Sequence, residues 1–185
     1  MKRGRGLPDW NLVATVRERQ FVRACEVLQE FGPVKRSDFF NVLVARVADP
    51  AQVLETLHDW WSRYPDLPQV FGRIAPAAAA FDFETAEEFE AKAKDIVLGW
   101  APLLAGKSFH VRVHRRGGKE VLSGQAEERA LDAALTAALA AAGTPGRISL
   151  YDPDAVVLIE TVGPRAGLAL WTRDDLARYP FLGAD

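Results

Sequence analysis

Residues 107–119 carry the clearest chemical signal in the chain. Lys107, Arg112, Arg115, Arg116 and Lys119 stand there with His110 and His114. No acidic residue interrupts them, although the 185-residue protein has 25 acidic against 23 basic residues. A guanidinium on a strand face or at a strand end makes forked hydrogen bonds to phosphate oxygens, and Gly117-Gly118 lets the backbone approach a ligand closely. The segment reads either as a solvated strand face ending in a charged turn or as a surface for a polyanion. Lys2-Arg3-Gly4-Arg5-Gly6 at the start is a second basic stretch, either a flexible contact to nucleic acid or an unstructured terminus.

Other chemistries find less support. His110 and His114 tempt as a metal pair, but strand residues four apart lie about 13 Å from each other, too far for two ligands of one ion. Both imidazoles are read as exposed polar or RNA-facing groups, and no metal site is expected. Cys25 falls on the apolar face of a helical pattern, where a buried, inert thiol is the usual case. Asp82, Glu84, Glu87, Glu88 and Glu90 gather at a helix start, where negative charge complements the helix dipole without any catalytic role. No Walker A loop, G-x-G-x-x-G fingerprint or G-x-S-x-G elbow occurs. The expectation is a protein that is not an enzyme and uses no cofactor.

Composition sets the frame for these residues. A hydrophobic content of 49 % supplies a buried core, and a net charge of -2 means that any nucleic-acid surface arises from how charge is distributed. One cysteine excludes an intrachain disulfide and favours a reducing cytoplasm. No apolar run approaches the roughly 20 residues of a membrane span.

Two patterned halves position the candidates. Residues 10–17 favour a strand. A helical face follows at Phe21, Ala24, Cys25, Leu28 and Phe31, stopped by Gly32-Pro33. Residues 34–36 and 39–47 read as strands, Asp49-Pro50 caps a helix carrying Val53, Leu57, Trp60 and Tyr64 inward, and 70–74 closes the set. This βαββαβ order over 8–80 is the ferredoxin-like pattern. From 81 onward, Thr85 and Glu88 form a capping box ahead of a long helix, broken near Pro102. The stretch 107–115 alternates, with Phe109, Val111 and Val113 on one face and His110, Arg112 and His114 on the other. An Ala-rich helix over 125–142 buries Leu131, Leu135, Ala138, Leu139 and Ala142. Strands at 155–162 and 167–171, joined by Gly163-Pro164-Arg165-Ala166, precede a short closing helix. Residues 75–80 read as a linker or strand edge.

Phe109-His110-Val111-Arg112-Val113-His114-Arg115-Arg116 is similar to the basic strand of the THUMP family. Ser149-Leu150-Tyr151-Asp152-Pro153-Asp154, followed by 156–162, is similar to that family's second motif. Their order, with one helix before, one between and a hairpin after, covers about 81–185. The first half, through Phe71-Gly72-Arg73-Ile74-Ala75-Pro76, resembles the ferredoxin-like domain that precedes THUMP in RNA-modifying enzymes. The ending resembles that of a THUMP adaptor in tRNA acetylation. The resemblance implies an α+β protein, a ferredoxin-like domain followed by a THUMP-like ααβαββ domain, that binds RNA, and tRNA at its acceptor stem and 3′ end in particular. Arg112, Arg115 and Arg116 match the basic strand, while Lys107, Lys119 and Arg129 are adjacent by charge. Asp152 stands where the motif has Asn. The family's enzymes continue beyond the position of Asp185 into a catalytic domain, so the resemblance implies a separate RNA-modifying enzyme as partner. A protein-interaction scaffold is the alternative.

Overall fold

The computed structural model describes residues 7–183, so the basic stretch 2–6 lies outside the described residues. The chain divides into two compact units, one formed by the residues up to Ala80 together with Leu176–Gly183, the other by Phe81–Asp175.

In the first unit β1 (Leu12–Val16) leads to α1 (Phe21–Gln29), β2 (Val34–Arg36), β3 (Val42–Ala45), α2 (Pro50–Arg63), a single turn α3 (Leu67–Val70) and β4 (Phe71–Pro76). The strands form a four-stranded sheet in the order β2-β3-β1-β4, with every neighbouring pair antiparallel. This is the ferredoxin-like arrangement that the order of patterns predicts. Local chemistry fixes its corners. Asp49 accepts from the N–H groups of Ala51 and Gln52, and Pro50 follows at a position that needs no donor. Gly32, at φ +149°, ends the α1 segment where a Cβ would lie 2.1 Å from the Arg46 carbonyl oxygen, so only glycine fits.

Two expectations for this unit need correction. Tyr64 is 40 % exposed, because α2 ends at Arg63 and the ring turns outward beneath the Arg23 guanidinium. Cys25 is half-buried, since Ala24, Val27 and Leu28 define the inward stripe of α1. Burial still pushes its thiol up from the ordinary range, with nearby Arg36 acting in the opposite direction.

The second unit contains β5 (Ala79–Asp82), which begins at its boundary, then α4 (Ala86–Gly99), a 3-10 turn (Ala101–Leu104), β6 (Ser108–His114), α5 (Gly124–Ala141), β7 (Arg147–Ile148), β8 (Ala155–Val162), β9 (Arg165–Thr172) and the start of α6 (Arg173–Arg178). Its five-stranded sheet runs β5-β9-β8-β6-β7. β6 is parallel to both β7 and β8, and β8 and β9 make an antiparallel hairpin. Thr85 accepts from Glu88 N–H while the Glu88 carboxylate accepts from Glu84 N–H, which secures the start of α4. Phe89, Val97, Phe109, Leu131, Leu135 and Val157 are fully buried in one core. On α5 the buried stripe is Leu131, Leu135 and Leu139, whereas Ala142 lies past the helix end and is exposed.

β5 and β7 go beyond the predicted pattern. The segment read as a linker or strand edge divides between β4 and β5, and β7 is two residues of pairing against Ser108 and Phe109. The closing segment also departs from the expected boundary. Phe181 and Leu182 are buried in the first unit, where Phe181 meets Trp61 at 5.4 Å and Arg73 donates to the Gly183 carbonyl.

Candidate nucleic-acid interface

β6 is the strand on which the candidate cations depend. Phe109 and Val111 are buried on the face toward α5, as alternation predicts. His110, expected to be exposed, is only 6 % exposed, and its neighbours Val156 and Leu158 on β8 are buried as well. The first half of β6 is thus covered on both faces, and exposure begins at Arg112. Alternation assigns a residue to a face; it does not say whether that face is covered.

Beyond Phe109 the outer edge of β6 runs past the end of β7. Two donors on that edge, Val111 N–H and Val113 N–H, are taken up by the carboxylates of Asp132 at 2.8 Å and Glu128 at 2.9 Å, one turn apart on α5. The helix supplies as side chains the acceptors that a neighbouring strand would supply as carbonyls. Burial pushes the Asp132 carboxyl up to about 6, against the Val111 N–H, which favours the charged form, while the Glu128 charge adds to the rise.

The six candidate cations do not form one patch. Lys107 precedes β6 and Arg115 follows it, eight residues apart, which is roughly 26 Å of extended chain. At the first end Lys107 is joined by Arg147, whose N–H donates to the Lys107 carbonyl at 3.1 Å. Exposed Ile148, Leu150 and Tyr151, the last 90 % exposed, follow directly. Arg112 is exposed in the second half of the strand; beyond its end Lys119 is exposed and Arg115 is half-buried, donating to the Gly117 carbonyl at 2.9 Å. Gly117 and Gly118 both adopt positive φ. Arg116 is not free as the pattern suggests, because its guanidinium pairs with the carboxylate of Glu160, a residue 3 % exposed on β8. Its backbone also bonds to Thr161 and Gly163, which fastens the loop to the β8–β9 hairpin. Arg129 is exposed on α5 and, with Asp132, Ala133, Thr136, Ala137, Ala140 and Ile148, lines an open concavity of about 560 Å³.

The second motif is a clamp. Asp154 accepts from Ser108 N–H at 2.8 Å and from Ser108 Oγ at 3.0 Å, tying the loop before β8 to the start of β6. Arg173 donates to the Asp154 and Asp152 carboxylates, each at 3.0 Å, and to the Asp152 carbonyl at 2.7 Å. Hydrogen bonds from Ser108 first, and then Arg173, hold the Asp154 carboxyl below its usual range. Asp152 sits at φ +43°, a conformation that Asn and Asp tolerate best among residues with side chains. Aspartate can therefore replace the motif's Asn in shape, and here it pairs with Arg173.

Sequence reasoning missed Arg147 and Tyr151 as surface candidates and Glu128 and Asp132 as edge caps. The i, i+4 spacing of the two acids was the signal available. Among the described residues no helix is long and apolar enough to cross a membrane.

No protein-family model matches the chain. A tRNA sulfurtransferase of Pyrobaculum aerophilum is 36 % identical over 101 residues, 54 % of this chain and 19 % of that protein. TrmN from Thermus thermophilus superposes with a TM-score of 0.57 at 19 % identity, covering 86 % of this chain and 44 % of its own. PH1313 from Pyrococcus horikoshii gives 0.53 at 13 %, with coverage of 87 % and 54 %. A 4-thiouridine synthetase solved with RNA and bound ATP gives 0.52 at 11 %, with 88 % and 41 %. The chain thus spans about a fifth of the curated relative and roughly half or less of each solved chain. At these identities the structural likeness is one of fold, and in fold the chain is THUMP-like.

Proposed function

We propose that this chain binds RNA, specifically tRNA through its acceptor stem and 3′ end, and presents it to a separate tRNA-modifying enzyme. The observation that carries the reading is the exposure of two cations, Arg112 in the second half of β6 and Lys119 directly after the Gly117-Gly118 turn. Exposed cations on a strand and on the turn that follows it meet phosphates and set the register of a bound RNA. Lys107 and Arg147, at the other end of β6, supply a second point of contact, and two separated points read the shape of a folded RNA rather than its sequence. The fold is shared with a synthetase solved with RNA, and the sequence match is to a protein named for its action on tRNA. That match covers 19 % of the sulfurtransferase, so its activity is not carried over.

The test is a comparison of affinities for intact tRNA, tRNA trimmed at its 3′ end, and duplex DNA at one ionic strength. Tighter binding of intact tRNA than of either competitor is expected. Equal binding of tRNA and DNA contradicts the tRNA claim, and no binding of any of the three contradicts RNA binding altogether.

A second reading, a scaffold that docks a protein, draws on the exposed Ile148, Leu150 and Tyr151. Recovery of a protein partner after nuclease treatment, unaffected by Arg112→Glu with Lys119→Glu, favours that reading.

A further inference from the structure

The first unit carries an exposed aromatic side chain that its own core does not use. Phe40 stands in the turn between β2 and β3 and is 85 % exposed. The turn is built to hold it there. Ser37 Oγ donates to the Val42 carbonyl at 3.0 Å and accepts from Phe39 N–H at 3.1 Å, and Asn41 adopts φ +56°. The Asn41 carbonyl in turn accepts from Val16 N–H at 2.8 Å, which fixes the turn against the end of β1.

Cations lie on the two segments that flank this turn, 17–19 and 35–36. Arg17 follows Val16 directly, and its backbone and Nε are held by the carbonyls of Val70 and Pro68. Arg19, at φ +65°, continues the same loop and is exposed. The Arg36 guanidinium stacks over the Phe21 ring at 3.7 Å while the residue itself remains exposed. Lys35 is exposed as well, and the acids within these segments are Glu18 and Asp38. Four cations thus stand against two carboxylates in a chain that is acidic overall.

We infer that this end of the first unit is a binding site for unpaired nucleotides of RNA, with a base stacked on Phe40 or on the outer face of Arg36 and the adjoining phosphates met by exposed Arg19. The inference rests on the proposed RNA binding and adds a contact distinct from the cations around β6. Flat π faces with neighbouring guanidinium groups suit a strand whose bases are exposed, because a duplex keeps those faces inside its stack. A preformed turn limits the ordering cost of presenting the ring.

The test uses the full chain, a labelled single-stranded RNA of about ten nucleotides and a blunt RNA duplex containing the same strand. Phe40→Ala is expected to weaken single-strand binding by roughly 5- to 150-fold, the range of one lost base–aromatic stack, and to leave duplex binding within about twofold. Phe40→Trp is expected to restore single-strand affinity. Because Phe40 is so exposed, an unchanged thermal midpoint for both variants separates loss of contact from loss of fold. Single-strand affinity of Phe40→Ala within about twofold of wild type overturns this inference while leaving RNA binding by the chain intact. Failure of the wild-type chain to bind the single strand overturns this inference, and failure to bind intact tRNA as well overturns both. Loss of a nuclease-resistant protein partner in Phe40→Ala, with RNA affinity unchanged, assigns the face to a protein and likewise overturns it.

Discussion

Arg116 and Glu160 form an ion pair that joins the loop after β6 to β8, with side chains 14 % and 4 % exposed. A guanidinium that the sequence offers as a phosphate ligand is instead committed to neutralising a buried carboxylate. Arg116→Ala is expected to destabilise the fold by about 3–5 kcal/mol, the usual consequence of removing one partner of a buried ion pair. Urea unfolding reads this directly. Arg116→Met combined with Glu160→Leu is expected to recover most of the loss, because the buried carboxylate is then removed with its partner. A stable Arg116→Ala protein with weakened RNA binding would show that the guanidinium serves RNA rather than the fold.

Asp132 gives the fold a pH dependence of definite sign. Its carboxyl is pushed up to about 6 in the folded chain, above the roughly 3.9 of an unfolded aspartate. Between those values the folded state holds a proton that the unfolded state gives up. The Asp132 contribution to stability is therefore greatest below about pH 4, falls as pH rises through about 6, and is level above that. Asp132→Asn keeps an acceptor for Val111 N–H and removes the titration. The stability of wild type relative to Asp132→Asn should decline from pH 4 to pH 7; a flat difference contradicts the assignment.

Glu55 works in the opposite direction. Hydrogen bonds from Arg178 and then from Tyr179 hold its carboxyl down to about 2. Its contribution is present above the unfolded value of about 4.3 and is lost as pH falls through about 2. Glu55→Gln should therefore cost stability at pH 7 by a small, salt-sensitive amount, given how exposed the group is. The gap from wild type should close on acidification toward pH 2, and denaturation of both proteins across that range checks it.

Asp154 and Arg173 fasten the second motif across the start of β6. Arg173→Ala removes three hydrogen bonds to the loop and is expected to raise amide exchange at Ser108 and at 150–154, with little change in α5. Uniform exchange across the second unit in this variant would contradict a local clamp.

What was legible in the sequence was what local chemistry decides. Asp49-Pro50 and Thr85 with Glu88 announce their helices because caps act within four residues. The ferredoxin-like order was readable from the alternation of strand and helix patterns. β7 was not, because two residues carry no period and are strand only by pairing with Ser108 and Phe109. The fate of Arg116 was hidden for the same reason, since Glu160 lies 44 residues away. His110 shows the limit of alternation, which cannot say that the second face of β6 is covered. The basic segment itself was legible, but its division into two ends about 26 Å apart follows only once 108–114 is known to be extended throughout.

The central claim, that exposed cations on β6 and at its ends grip RNA phosphates, is tested most directly by the salt dependence of tRNA affinity in wild type and in Arg112→Glu with Lys119→Glu. With about four phosphates contacted, log affinity should fall against log salt with a slope on the order of -2.8 to -3.6. The double variant should bind more weakly and with a slope shallower by about 1–2. An affinity and slope unchanged by reversing both charges would contradict the account.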